Sequence, residues 1–261
     1  MNISLSGRTA LICGSTQGIG LAVAKEFAAA GAHCILMARN EERLKAIVKE
    51  LQENSSHTHG YRVADFSRPD EIKKVMQELV ESYAIQILVN NTGGPPPGPI
   101  AEAEEAAFLL AFNQHLINNH ILVKSLLPAM KTASYGRIIN IISTSVKIPL
   151  RNMGVSNTIR GAVASWAKTM SFELGEFNIT VNNILPGYTA TERLNSLIAI
   201  NAKKRGVPEE LIAEEMKSDI PLKRFGDPAE TAAVAAFLAS PAASYVSGVS
   251  IPVDGGRTGA F

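Results

Sequence analysis

Apolar residues follow two alternating rhythms along this chain. Runs apolar at nearly every position, Thr9 to Cys13, His33 to Ala38, Ile85 to Val89, Arg137 to Ile142 and Ile179 to Leu185, predict strands buried on both faces. Tyr61 to Ala64 and Gly248 to Val253 complete a set of seven. Between them the spacing changes to three and four residues. Leu21, Val23, Ala24, Phe27 and Ala28 place a helix ahead of Gly31. Further helices are predicted from Arg39-Asn40 to about Glu53, from Ser67-Arg68-Pro69-Asp70 to Tyr83, and from Gly154 to Phe177. Another starts at Asp227-Pro228-Ala229-Glu230 and runs to Ala239. A long helical stretch covers about Glu102 to Lys131, with a bend expected near Pro128. Asn54 to Gly60 and the proline-rich Pro95 to Pro99 read as surface loops.

Alternating strands and helices predict an α/β fold, a doubly wound parallel sheet covered on both faces. Ligands of such sheets bind beyond the carboxyl ends of the strands. Residues 188–222 interrupt the rhythm, and Lys203-Lys204-Arg205-Gly206-Val207-Pro208-Glu209-Glu210 is charged. That excursion reads as a helical lid over the site or as a solvated insertion.

Composition narrows the class. No linker or repeat divides the 261 residues, so a single domain over 1–261 is expected, and the 46% hydrophobic content supports a large core. A net charge of +1 gives no reason to expect nucleic acid or an anionic membrane as partner. Cys13 and Cys34 both fall in buried-type strands and read as core thiols in a reducing compartment. The opening Met1-Asn2-Ile3-Ser4-Leu5-Ser6-Gly7-Arg8 lacks the basic-then-apolar order of a signal peptide. No apolar run approaches the roughly 18 residues needed to span a bilayer. A cytoplasmic protein is expected. His57 and His59 lie in a polar loop without further ligands, so no metal site is expected.

The first strand runs into Gly14-Ser15-Thr16-Gln17-Gly18-Ile19-Gly20, and a helical pattern follows at once. Gly14 can adopt a backbone conformation closed to other residues. Gly18 and Gly20 let a phosphate approach the turn and let the helix lie close on the strand. The helix then aims free N–H groups and its positive dipole end at that phosphate. Strand, glycine turn and helix together predict a dinucleotide site. An acidic residue some 20 positions further on would hold the ribose 2′-hydroxyl of NAD, whereas arginine suits the 2′-phosphate of NADP. The second strand ends Met37-Ala38-Arg39, with no carboxylate before Glu41. NADP is therefore expected in preference to NAD, with Arg39 on its phosphate.

Gly14 to Gly20, Asp65, Asn90-Asn91-Thr92-Gly93, Gly136 to Ser143, Pro186-Gly187 with Thr191, and Val253-Asp254-Gly255-Gly256 occur in an order and spacing of high specificity. On these motifs the chain resembles the classical short-chain dehydrogenases/reductases over essentially its whole length, in particular 3-oxoacyl-(acyl carrier protein) reductase-like members. The resemblance implies a Rossmann-type sheet of strand order 3-2-1-4-5-6-7, a nicotinamide cofactor, a small-molecule substrate and a homo-oligomer, either tetramer or dimer. It also implies that Gly14, Ser15, Gln17, Gly18, Ile19 and Gly20 hold the pyrophosphate. Asp65 and Phe66 would flank the adenine, and Asn91 and Gly93 the adenosine ribose. Pro186, Gly187 and Thr191 would lie at the nicotinamide half.

The family pattern then fails at one place. Its proton donor is a tyrosine in a Tyr-x-x-x-Lys helix, and the matching positions here are Ser156 and Arg160. None of the five tyrosines has lysine four residues on. The helix that usually carries a relay asparagine shows His115 at the matching position. Only Ser143 is retained of the usual catalytic positions. Hydride transfer to a carbonyl develops negative charge on oxygen, which needs a proton or hydrogen-bond donors. Serine is a far weaker acid than tyrosine, and arginine stays charged. Ser156 and Arg160 share a helix face, and Arg160 could hold the nicotinamide ribose. Tyr188, His115, Lys147 or ordered water could supply the proton, His115 because histidine titrates near neutral pH. Two functions remain open. One is an atypical NAD(P)(H)-dependent oxidoreductase interconverting a carbonyl and an alcohol on a small apolar substrate. The other is a cofactor-binding sensor or scaffold with little or no turnover.

Overall fold

The computed structural model describes residues 2–55 and 57–259. Its centre is a seven-stranded parallel sheet in the order β3-β2-β1-β4-β5-β6-β7. The strands are β1 Thr9–Cys13, β2 His33–Ala38, β3 Gly60–Val63, β4 Ile87–Asn90, β5 Gly136–Ile141, β6 Ile179–Pro186 and β7 Ser250–Val253. Each lies within a residue or two of the run that predicts it. Alternate side chains explain the continuous apolar runs. On β1, Ala10 and Ile12 enter one core with Phe27, Leu36 and Leu44, while Leu11 and Cys13 enter the other with Ile35, Met76 and Leu122. The strand is thus buried on both faces, and both cysteines are buried free thiols.

Helix α1 (Gly18–Ala29) packs on α9 (Pro228–Ala239), and α2 (Glu41–Glu53) covers the same face. Helices α3 (Pro69–Ser82), α5 (Asn118–Thr132) and α6 (Gly154–Leu174) cover the other. Start signals in the sequence are realised as caps. Asn40 accepts from Arg43 N at 2.9 Å at the head of α2, and Asp227 and Glu230 form a full capping box on α9. No described helix is long and apolar enough to cross a membrane.

The predicted helix over 102–131 is corrected. The chain makes a 3-10 turn at Ile100–Glu102, then α4 (Glu105–Phe112), then a π-helical turn at Asn113–Ile117, then α5. The departure from regular winding lies at that π turn, whereas Pro128 sits inside α5. One extra residue in a turn leaves no mark on an apolar repeat, so hydrophobic spacing does not reveal it.

A polar ladder crosses the sheet near its carboxyl edge. Asn90, Asn140, Asn183 and Ser250 are register partners on β4, β5, β6 and β7. Asn90 Nδ2 donates to Asn140 Oδ1 at 2.8 Å, Asn140 Nδ2 to Asn183 Oδ1 at 3.0 Å, and Asn183 Nδ2 to Ser250 Oγ at 3.0 Å. A one-residue slip of any strand would put these amides on the opposite face, so the ladder fixes register. Replacing Asn140 by alanine strands a buried donor on one side and an acceptor on the other. Urea unfolding should show a loss on the order of 2–4 kcal/mol for Asn140→Ala.

Candidate functional site

Sheet order reverses between β1 and β4, and a crevice opens there beyond the carboxyl ends of the strands. Gly14 follows β1 with φ +59, in the left-handed region that favours glycine. A Cβ on Gly20 would lie 2.1 Å from the Gly14 carbonyl oxygen, so helix and strand meet with room for hydrogen alone. Asn91 Nδ2 ties the turn down, donating to the carbonyls of Cys13 (3.3 Å) and Gly14 (3.2 Å). Helix α1 has no side-chain cap and no acidic residue in its first turn. Its leading amides and the buried, unpartnered Ser15 hydroxyl therefore remain for an anion.

A cleft of about 610 Å³ runs from this turn. Gly14, Gln17, Gly18 and Ile19 form one side, Asp65 and Phe66 another, with Asn91, Gly93 and Thr191 along the length. Arg39 lines it as well, and so does Arg43, whose Nη1 donates to Gln17 Oε1 at 3.0 Å. The Ser67 N–H donates to the Asp65 carboxylate at 2.9 Å, and this bond chiefly holds that carboxyl below its ordinary pKa.

Ile19, Asn91, Thr92, Gly94, Thr191 and Arg193 also line a second cavity of about 200 Å³, so the two adjoin. This inner cavity gathers Ser143 beyond β5, Ser156 and Arg160 from one face of α6, and Pro186 at the end of β6 with Gly187 and Tyr188 beyond it. Ser143 Oγ accepts from Ser145 N at 3.1 Å. Arg160 is buried and donates to Ile141 O at 3.1 Å and Thr92 O at 3.5 Å. Burial, then the charge of Arg193, lowers its pKa to about 10, so it is cationic at neutral pH. Tyr188 Oη accepts from Arg257 Nη2 at 3.1 Å, which leaves the phenolic hydrogen free to donate. Lys147 stands apart as an exposed residue after the 3-10 turn Thr144–Val146.

His115 is corrected in one respect. It sits in the π turn with Nδ1 2.6 Å from Thr92 Oγ1, and its Nε2 is buried without a partner among the described residues. Burial, then the charges of Arg160 and Arg193, pushes its pKa down to about 2. Near-neutral titration is thereby removed, and the ring is neutral at working pH.

Residues 188–222 fold as α7 (Glu192–Arg205) and α8 (Glu209–Ser218), joined at Gly206 and packed on Leu194, Ile198, Ala202, Ile212 and Met216. Arg193, Leu194 and Leu197 of α7 face the inner cavity. The motif reading missed Arg43, Thr92, Arg193 and Arg257 as site residues. Arg43 had a signal, being one helical turn from Arg39, whereas Arg257 is delivered by a tail whose course no local pattern encodes.

The model of the enoyl-(acyl carrier protein) reductase family matches residues 14–258. The NADPH-dependent reductase BacG of Bacillus subtilis (strain 168) is 31% identical over 254 residues, covering 97% of this chain and 98% of that protein. The D-beta-hydroxybutyrate dehydrogenase of Rhizobium meliloti (strain 1021) is 33% identical over 258 residues, covering 96% and 98%. Among solved structures, L-sorbose reductase from Gluconobacter frateurii complexed with NADPH and L-sorbose superposes with a TM-score of 0.94 at 30% identity, over 100% of both chains. The chain belongs to the short-chain dehydrogenase/reductase family, with the sheet order expected of it.

The depressed histidine fixes a pH dependence. Below pH 6.5 the unfolded chain protonates His115 and the folded chain does not, down to about pH 2. Stability therefore falls with acidification across that window, by up to about 1.4 kcal/mol per pH unit from this residue. His115→Gln should flatten that slope in urea titrations at pH 5 and pH 7, and the His115 ring signal should not titrate between pH 5 and 8 by NMR.

Proposed function

We propose that the protein is an NADP(H)-dependent oxidoreductase that interconverts a carbonyl and an alcohol on a small, largely apolar substrate. The observation that carries this reading is the adjacency of the two cavities. A cleft with bare helix amides and three lining arginines, Arg39, Arg43 and Arg193, shares a wall with a cavity holding Ser143, Ser156 and Tyr188. The NADPH named with BacG and with the sorbose reductase supports the choice of cofactor.

The residues present fit the dinucleotide. The glycine turn, Ser15 Oγ and the α1 amides would take the pyrophosphate, and Arg39 with Arg43 the 2′-phosphate. Asp65 and Phe66 would flank the adenine, Asn91 and Gly93 the adenosine ribose, and Thr191 with Pro186-Gly187 the nicotinamide half. Bound there, the cofactor supplies a hydride to a carbonyl carbon or accepts one from an alcohol.

The chain's own part is to bind the substrate oxygen and manage its proton. Ser143 and Ser156 hydroxyls donate to the oxygen as negative charge develops there. The buried Arg160 guanidinium adds a fixed positive field, strong because the surroundings are dry. Tyr188 delivers the proton in reduction and receives it in oxidation. Neutral His115 holds Thr92 beside Arg160 and donates no proton. Ile142, Leu150, Met153 and Leu197 form apolar wall, and α7–α8 acts as the lid.

The test follows NADPH absorbance across ketones, quinones and acyl thioesters. Turnover is expected, with kcat falling about 10²- to 10⁴-fold in Tyr188→Phe. Ser143→Ala should also lose most activity. Robust NADPH binding with no turnover on any class would instead establish the sensor reading, which the Ser156 and Arg160 substitutions favour. In calorimetry, NADPH should bind tighter than NADH. Arg39→Ala should weaken NADPH by tenfold or more while leaving NADH unchanged, the loss of about 1.5–3 kcal/mol expected for a charged hydrogen bond. Tighter binding of NADH to the unmutated protein would overturn the cofactor choice.

A further inference from the structure

The inner cavity is lined by three guanidinium groups, those of Arg160, Arg193 and Arg257, and by no aspartate or glutamate. Two of them are occupied by main chain. Arg160 donates to the Ile141 and Thr92 carbonyls, and Arg193 to the Gly94 and Pro95 carbonyls at 2.9 and 3.3 Å. Arg257 differs. Its Nη2 donates to Tyr188 Oη at 3.1 Å, and its Cζ lies 4.2 Å from the Tyr188 ring centroid, so its plane is held against the ring. Its Nε is buried and has no partner among the described residues. A guanidinium offers five N–H donors, and the tyrosine takes one.

The nearest acid in sequence, Asp254, makes no ion pair with Arg257 among the described residues. Asp254 Oδ1 accepts from Gly256 N at 3.0 Å and Oδ2 from Thr258 N at 2.7 Å. Those bonds hold the carboxylate to the turn that presents Arg257. Elsewhere the chain pairs comparable arginines with acids, Arg205 with Glu215 and Arg224 with Glu230. Among the described residues Arg257 forms no ion pair. Arg257 thus brings to the cavity wall a guanidinium with donors to spare and no ion-pair partner among the described residues.

An outer cavity of about 590 Å³ shares Thr144, Leu150, Met153, Tyr188, Leu197 and Arg257 with the inner one. Arg257 therefore lines both, and the outer cavity also carries Arg151 and Asp219, neither of which forms an ion pair with it among the described residues. We propose that Arg257 binds the carboxylate of the substrate, so that the natural substrates are oxo acids and the corresponding hydroxy acids with a short apolar body. This rests on the oxidoreductase reading of the same site. A planar fork matches a carboxylate with two parallel hydrogen bonds, which Tyr188 and the Asp254 turn orient in advance.

Isothermal calorimetry on the full chain, with and without saturating NADP, tests the assignment. The probes are 2-oxopentanoate, 4-oxopentanoate and 6-oxoheptanoate, each beside its methyl ester. At least one acid should bind tenfold or more tighter than its ester. Arg257→Gln should raise the Kd of that acid to the level of the ester while leaving the ester and NADPH affinities unchanged, and Arg257→Lys should recover part of the preference. The preference should also shrink as salt rises. Esters that bind as tightly as acids, no binding by any acid, or an Arg257→Gln variant that weakens acid and ester alike would each overturn it. Failure of the underlying reading is separately visible. If NADPH binds and neutral ketones turn over without any preference for acids, the carboxylate anchor is wrong and the oxidoreductase stands. If NADPH does not bind, the oxidoreductase reading is wrong, and the acid-to-ester ratio measured without cofactor still reports on Arg257.

Discussion

The tightest glycine contact among the described residues lies where α1 meets the end of β1. A methyl group on Gly20 would sit 2.1 Å from the Gly14 carbonyl, and one on Gly14 would sit 2.4 Å from the Asn91 carbonyl. Three segments therefore converge through positions that admit only hydrogen. Asn91 then bonds the two carbonyls that the turn leaves exposed. This contact sets the depth of the crevice and the direction of the α1 amides. Any side chain at Gly20 would lift the helix and tilt its N-terminus away from the cleft. The phosphate cradle, the path of Thr92 and the wall shared by the two cavities all follow from it.

Polar order within an apolar sheet is the second constraint. The Asn90–Asn140–Asn183–Ser250 ladder lies in the half of the sheet that delivers Ser143 and Tyr188. Register fixed there determines which residue stands first beyond each strand. A buried amide without its partner costs free energy, so the ladder discriminates between registers that hydrophobic packing alone would score alike. The π turn acts similarly on the helical side. It places His115 against Thr92, and Thr92 O in turn accepts from Arg160.

Electrostatically the site is built from cations and hydroxyls. Ser156 and Arg160 share one face of α6, and the buried Arg160 guanidinium sets a positive field at the inner cavity. Arg160 keeps its charge at neutral pH and cannot shuttle a proton. His115, hemmed in by the same cations, is held neutral. An anionic cofactor suits such surroundings, and among the described residues no aspartate or glutamate lines the inner cavity to compete with it.

The fold and the dinucleotide turn were legible in the sequence because their signals are local and repeated. Strands buried on both faces read as unbroken apolar runs, helices as three-to-four spacing, and the turn as glycines that only close packing requires. Arg39 of the cleft was legible too, directly after a strand end, whereas Arg43 and Arg193 were not. What local pattern could not decide was set by contacts between distant segments. The π turn is one inserted residue, and it sets His115 against Thr92 from a separate segment. The titration of His115 depends first on its burial and then on the charges of Arg160 and Arg193, which are remote in sequence. Arg257 enters the site only because the tail after β7 turns on Asp254 and brings it to Tyr188. Chemistry of this kind depends on burial and on the sum of neighbouring charges, quantities that come into being only when the chain has folded.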